Sequence, residues 1–119
     1  MSTFAIPVTL INPDDRERSL TVNLLVDTGA FYTMLPPEVV APLGLTASDL
    51  KTVEFANSER AVIGMGEVRV RFNGTEHTTL FLSGPAGCHA VLGAFTLEGF
   101  GLAVEPRHQR LVPIPFFTA

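Results

Sequence analysis

The sequence predicts an all-β fold that closes or rolls upon itself, with one or two short helices. Short runs of alternating apolar and polar residues recur along the chain. Turn-forming pairs separate these runs at regular intervals. The chain is 119 residues long, 46% hydrophobic and only 17% charged, which bounds it to one domain with one core and spare apolar surface.

Phe4, Ile6, Val8 and Leu10 alternate, and Pro7 among them predicts a short strand near an edge. Asn12-Pro13-Asp14-Asp15 reads as a turn. Leu20, Val22, Leu24 and Val26 then alternate with Ser19, Thr21 and Asn23, and Leu25 breaks the polar face where the strand enters the core. Pro37 to Leu43 reads as one short helix with Gly44 past its end. Lys51 to Ala56 and Ala61 to Ile63 read as strands flanking the polar tip Asn57-Ser58-Glu59-Arg60, and Gly64-Met65-Gly66 as a bulge or bend. Val68, Val70 and Phe72 alternate up to Asn73-Gly74, a type I′ hairpin signal, and Thr78 to Leu82 returns as the partner strand.

Chemistry concentrates in Leu24-Leu25-Val26-Asp27-Thr28-Gly29-Ala30, where an apolar strand runs into an aspartate and a small, turn-permissive triplet. A carboxylate leaving a hydrophobic strand is costly to bury unless it is hydrogen-bonded or shares a proton, and such positions are enriched in catalytic groups. The plainer reading of Asp27 is a turn residue capping the strand end. A second signature lies downstream. In Ala90-Val91-Leu92-Gly93-Ala94-Phe95-Thr96-Leu97 an apolar strand meets a glycine and then a short helix, with Gly84-Pro85 ahead of it.

Together these motifs resemble the retropepsin-like (retroviral-type) aspartic proteases, over roughly Phe4 to Pro113, and the tail is closer to compact bacterial relatives. The resemblance implies a closed acid-protease-type β-barrel of a single lobe spanning residues 1–119. It also implies a homodimer, because the chain carries a single Asp-Thr-Gly. Asp27, Thr28 and Gly29 are then the catalytic loop, with Ala30 and the hairpin tip Asn57, Ser58, Glu59 and Arg60 at the substrate. Gly64–Gly66 is the second choice for the flap that closes over the substrate. The viral enzymes pair an acid after Asp-Thr-Gly-Ala with an arginine after the downstream glycine. Phe31 and Ala94 occupy those positions here, so an apolar contact is expected to replace the ion pair, with Ile114-Pro115-Phe116-Phe117 adding dimer surface.

The expected activity is aspartic endopeptidase, with a polypeptide substrate and a second copy of the chain as partners. The alternatives are a catalytically silent domain of the same fold, acting as a dimerisation or peptide-binding module, and a monomeric β-barrel binding protein. A net charge of −4 argues against nucleic acid or an anionic membrane as partner. No apolar run approaches the roughly 20 residues needed to span a bilayer, and no signal peptide is seen. The lone Cys88 fits a reducing, cytoplasmic setting. His77, His89 and His108 have no ligand spacing, so neither metal nor cofactor is expected. The serines lack a nucleophile elbow, and Gly64-Met65-Gly66 is too short for a phosphate loop.

Overall fold

The computed structural model describes residues 3–118, so residues 1, 2 and 119 of the expected domain lie outside it. Strands β1 (Phe4–Asn12) and β2 (Asp15–Val26) form the opening hairpin. They are followed by β3 (Thr33–Leu35), α1 (Pro37–Leu43), β4 (Asp49–Glu54), β5 (Arg60–Phe72) and β6 (Thr75–Ser83). The chain ends with β7 (Val91–Leu92), α2 (Ala94–Gly99), β8 (Leu102–Glu105) and β9 (Arg110–Pro113). The main sheet runs β1-β2-β7-β3-β6-β5-β4, and pairing of Thr9–Ile11 in β1 with Arg69–Arg71 in β5 closes it into a barrel. Among the described residues, closure leaves β4 hydrogen-bonded to β5 alone, as one arm of a hairpin. Strands β8 and β9 form a separate two-stranded ribbon.

The barrel interior is filled by alternate residues of these strands. Leu10, Leu24, Leu35, Val68, Val70 and Phe81 are fully buried, and Leu43 of α1 joins them. The helix begins with Pro37, whose fixed φ and missing N–H suit a first turn, and stops at Gly44, which takes a left-handed φ of 64°. Buried Asn12 ties this helix end to the first turn. Its Oδ1 accepts the Asp14 and Asp15 amides at 2.8 and 3.2 Å, and its Nδ2 donates to the Leu43 and Gly44 carbonyls at 2.8 and 3.1 Å. The expected type I′ turn is present, with positive φ at both Asn73 and Gly74.

Two local expectations are corrected. The first strand is not short: β1 runs nine residues and pairs with β2 throughout. Pro7 is accommodated because β5 flanks β1 only from Thr9 onward, so the other side of the strand is open at Pro7. Gly64 and Gly66 do not mark a bulge. The register of β5 runs without a shift from its pairing with β4 into its pairing with β6, the change of partner falling at Met65. The glycines answer a close approach instead. A Cβ at either position would lie 1.9 Å from a backbone carbonyl oxygen, that of Ala47 or Thr46.

Candidate active site

The end of β2 is held in place before it reaches Asp27. Leu24 and Val26 point into the core, the Leu25 amide donates to the Ala90 carbonyl at 2.9 Å, and the Asp27 amide donates to the Leu92 carbonyl at 3.3 Å. This short parallel pairing with β7 delivers Asp27, half-buried, to the barrel's rim. Its Oδ1 accepts the Gly29 amide at 2.9 Å, and its carbonyl accepts the Ala30 amide at 3.1 Å. The carboxylate is thus fixed by its own loop. A Cβ on Gly29 would approach that Oδ1 to 3.0 Å, so a larger residue there would press on the carboxylate itself.

The second sequence signature packs directly beneath this loop. The Ala94 and Phe95 amides of α2 donate to the carbonyls of Ala30 and Phe31 at 2.9 and 2.8 Å. Gly93 lies so close that an added Cβ would sit 2.4 Å from the Tyr32 carbonyl carbon. Below it, three buried threonines share hydroxyl hydrogen bonds, Thr33 to Thr96 at 2.7 Å and Thr96 to Thr79 at 2.8 Å. The Gly93 amide donates to the Thr33 hydroxyl at 3.2 Å. This chain links β3, α2 and β6 under the aspartate loop. Nothing in the spacing of the threonines signals it, because each comes from a different segment.

Asp27, Gly29 and Ala30 open onto a cleft of about 1060 Å³. Its floor and walls are mainly apolar, from Met34, Met65, Leu80, Leu82 and Val91, with Phe31 and Tyr32 to one side. The arm β4 and the residues just after it, Lys51 to Ala56, also wall the cleft. Asn57, Ser58, Glu59 and Arg60 sit at the hairpin tip, exposed and outside the cleft lining. The tip is closed by the Ser58 amide on the Phe55 carbonyl (2.9 Å) and the Phe55 amide on the Glu59 carbonyl (2.8 Å). Gly66 belongs to the cleft wall, well down the strand from the tip.

Thr28 is exposed and faces a different, smaller groove, shared with Ala94, Leu97, Leu102, Val104 and Ile114. The structure therefore gathers Asp27, Gly29 and Ala30 with Phe55 and Ala56, and leaves Thr28 and the four tip residues apart from them. Phe31, 54% exposed, has Tyr32 and Phe95 as ring partners, with centroids 4.9 and 5.7 Å away. Among the described residues, no group of three or more His, Cys, Asp or Glu is placed to hold a metal ion. Among the described residues, no helix is long and apolar enough to cross a membrane.

A closed barrel with an Asp-Thr-Gly loop hydrogen-bonded to a glycine-led helix defines an acid-protease lobe. Residues 7–104 match the family model described as aspartyl protease, and the chain belongs to that family. Among solved structures it is similar to the EIAV protease complexed with the inhibitor HBY-793. The identity is 18% and the TM-score 0.62, over 84% of this chain and 89% of that one. The fold is therefore that of the retropepsin-like enzymes. No curated protein matches the sequence.

Proposed function

We propose that the protein is an aspartic endopeptidase that acts as a homodimer, each copy supplying one Asp27. The observation that carries this reading is a carboxylate fixed by the Gly29 amide at the edge of an apolar cleft large enough for several peptide residues. Membership in the aspartyl protease family, and a fold shared with a protease that accepts an inhibitor, support it.

One carboxylate cannot be base and acid at once, so a two-fold axis beside Asp27 is required. Two carboxyl groups facing each other share a single proton. The ionised one takes a proton from water, whose oxygen attacks the peptide carbonyl carbon, while the protonated one donates to the carbonyl oxygen. Collapse of the tetrahedral species breaks the C–N bond as a proton passes to the leaving amine, and the dyad is regenerated. Thr28 and Gly29 keep the loop in shape, and Ala30 lies along the substrate. The tip Asn57–Arg60 completes the site over a bound peptide. Exposed Phe31, Phe116 and Phe117, 54%, 71% and 93% accessible, supply apolar area for a second copy.

The test is a peptide-library digest with parent and Asp27→Asn protein, read by mass spectrometry across a dilution series. Cleavage should fall at least about 100-fold in the variant and drop cooperatively on dilution of the parent, with sedimentation still showing a dimer for Asp27→Asn. A dimer that cleaves nothing identifies a binding module instead, and full activity in a dilute monomer rejects the shared dyad.

A further inference from the structure

We infer that Glu67 is a specificity-determining residue, selecting peptides that carry a lysine or arginine near the scissile bond; the inference rests on the peptidase reading of the cleft. Glu67 of β5 stands opposite Leu80 of β6, and Met65, two residues earlier, stands opposite Leu82. Directly opposed residues of an antiparallel ladder share a face, and side chains alternate along each strand. Met65, Glu67, Leu80 and Leu82 therefore form one wall, and all four line the cleft.

The other charges around this cleft are matched. Lys51 Nζ lies 3.3 Å from Asp49, and Arg60 Nε donates to Glu54 at 2.9 Å. The next cation along the face of Glu67, Arg69, is committed elsewhere, with Nε donating to Glu76 at 2.8 Å and Nη1 to the Thr78 hydroxyl at 2.9 Å. Apart from Asp27, Glu67 is thus the cleft acid without an ion-pair partner among the described residues. On its outer side it borders a shallow depression that Asp14 also lines, together with Asn12, Pro13, Leu45 and Thr46 and no cation.

An apolar wall ending in a single negative charge has the shape of a long aliphatic stem with a cationic head. The methylenes of a lysine or arginine would lie along Met65 and Leu80 while the head reaches the Glu67 carboxylate at the lip, where water also has access. A glutamate in the same place would meet the Glu67 carboxylate and be rejected. The preference comes from the chain's own charge arrangement, and is separate from the chemistry at Asp27.

The experiment walks lysine, methionine and glutamate through each position of one cleavable peptide. It measures kcat/KM for the parent, Glu67→Gln and Glu67→Lys proteins, and peptide affinity by fluorescence anisotropy on the uncleaving Asp27→Asn protein with and without Glu67→Gln. At one position lysine should exceed methionine about 5-fold in the parent, as expected for an exposed ion pair. The contrast should vanish in Glu67→Gln, reverse toward glutamate in Glu67→Lys, and shrink between about 0.1 and 1 M salt. Equal handling of lysine and methionine at every position, in both rate and affinity, overturns the proposal. Affinity that follows charge through Glu67 without any cleavage by the parent upholds the subsite and rejects the peptidase reading.

Discussion

Replacing Thr96 by valine removes one hydroxyl from the chain of three threonines while keeping the side chain's shape. Thr96 is 2% exposed and is the middle member, bonded to both Thr33 and Thr79. Thr33 keeps the Gly93 amide as a donor, so the loss falls chiefly on Thr79, whose hydroxyl is left unpaired at 5% exposure. An unpaired buried polar group costs about 1–3 kcal/mol, and the weakened Thr33 adds part of another hydrogen bond. The expected destabilisation is about 2–3 kcal/mol, or a fall in Tm of roughly 6–15 °C for a chain of this size. Urea unfolding at fixed protein concentration measures it, with an unchanged m-value showing that the two states compared are the same. The double variant Thr79→Val with Thr96→Val should cost no more than Thr96→Val alone, since it removes the orphaned hydroxyl. A single variant within about 0.5 kcal/mol of the parent, or costs that simply add, would refute the account of a coupled buried chain.

Two further outcomes follow from particular contacts. Gly29→Ala places a methyl 3.0 Å from the Asp27 Oδ1, so it should displace the carboxylate and lower kcat/KM by at least about tenfold while the far-ultraviolet circular dichroism stays that of the parent. Charge-assisted hydrogen bonds from Arg16, and then from Arg69, hold the Glu76 carboxyl down at about 2. The folded state therefore binds this proton less readily than the unfolded chain. The resulting stabilisation is fully present above an ordinary glutamate value of about 4.3 and is lost as pH falls through that value toward about 2. Stability measured against pH should fall less steeply over that window in Glu76→Gln than in the parent.

Much of the architecture was legible because local signals agreed with the barrel. The Asn73-Gly74 turn, the Pro37-to-Gly44 helix and the inward face of β2 each followed from backbone preference or a period of two. The aspartate loop was legible because a polar residue ending an apolar strand is rare without a role. What stayed hidden depends on contacts distant in sequence. Gly64 and Gly66 resembled a bulge because a glycine pair carries no record of which carbonyl lies over it, here those of Ala47 and Thr46. The full length of β1 was masked by Pro7, whose tolerance depends on where β5 stops. Likewise, the polar tip at Asn57–Arg60 was identified as a hairpin end, yet the residues that wall the cleft, Lys51 to Ala56, alternate no differently from an ordinary strand.

The unbroken course of β5 bears on how the hairpin is joined to the barrel. Its first half pairs with β4, its second half is a stave of the barrel, and the two meet at Met65 without a shift in register. The carbonyls of Thr46 and Ala47 occupy the space a side chain would need at Gly66 and Gly64, on either side of that point. One continuous ribbon thus joins the hairpin tip to the wall that carries Glu67 and to its neighbour β6, with no break in register to separate them.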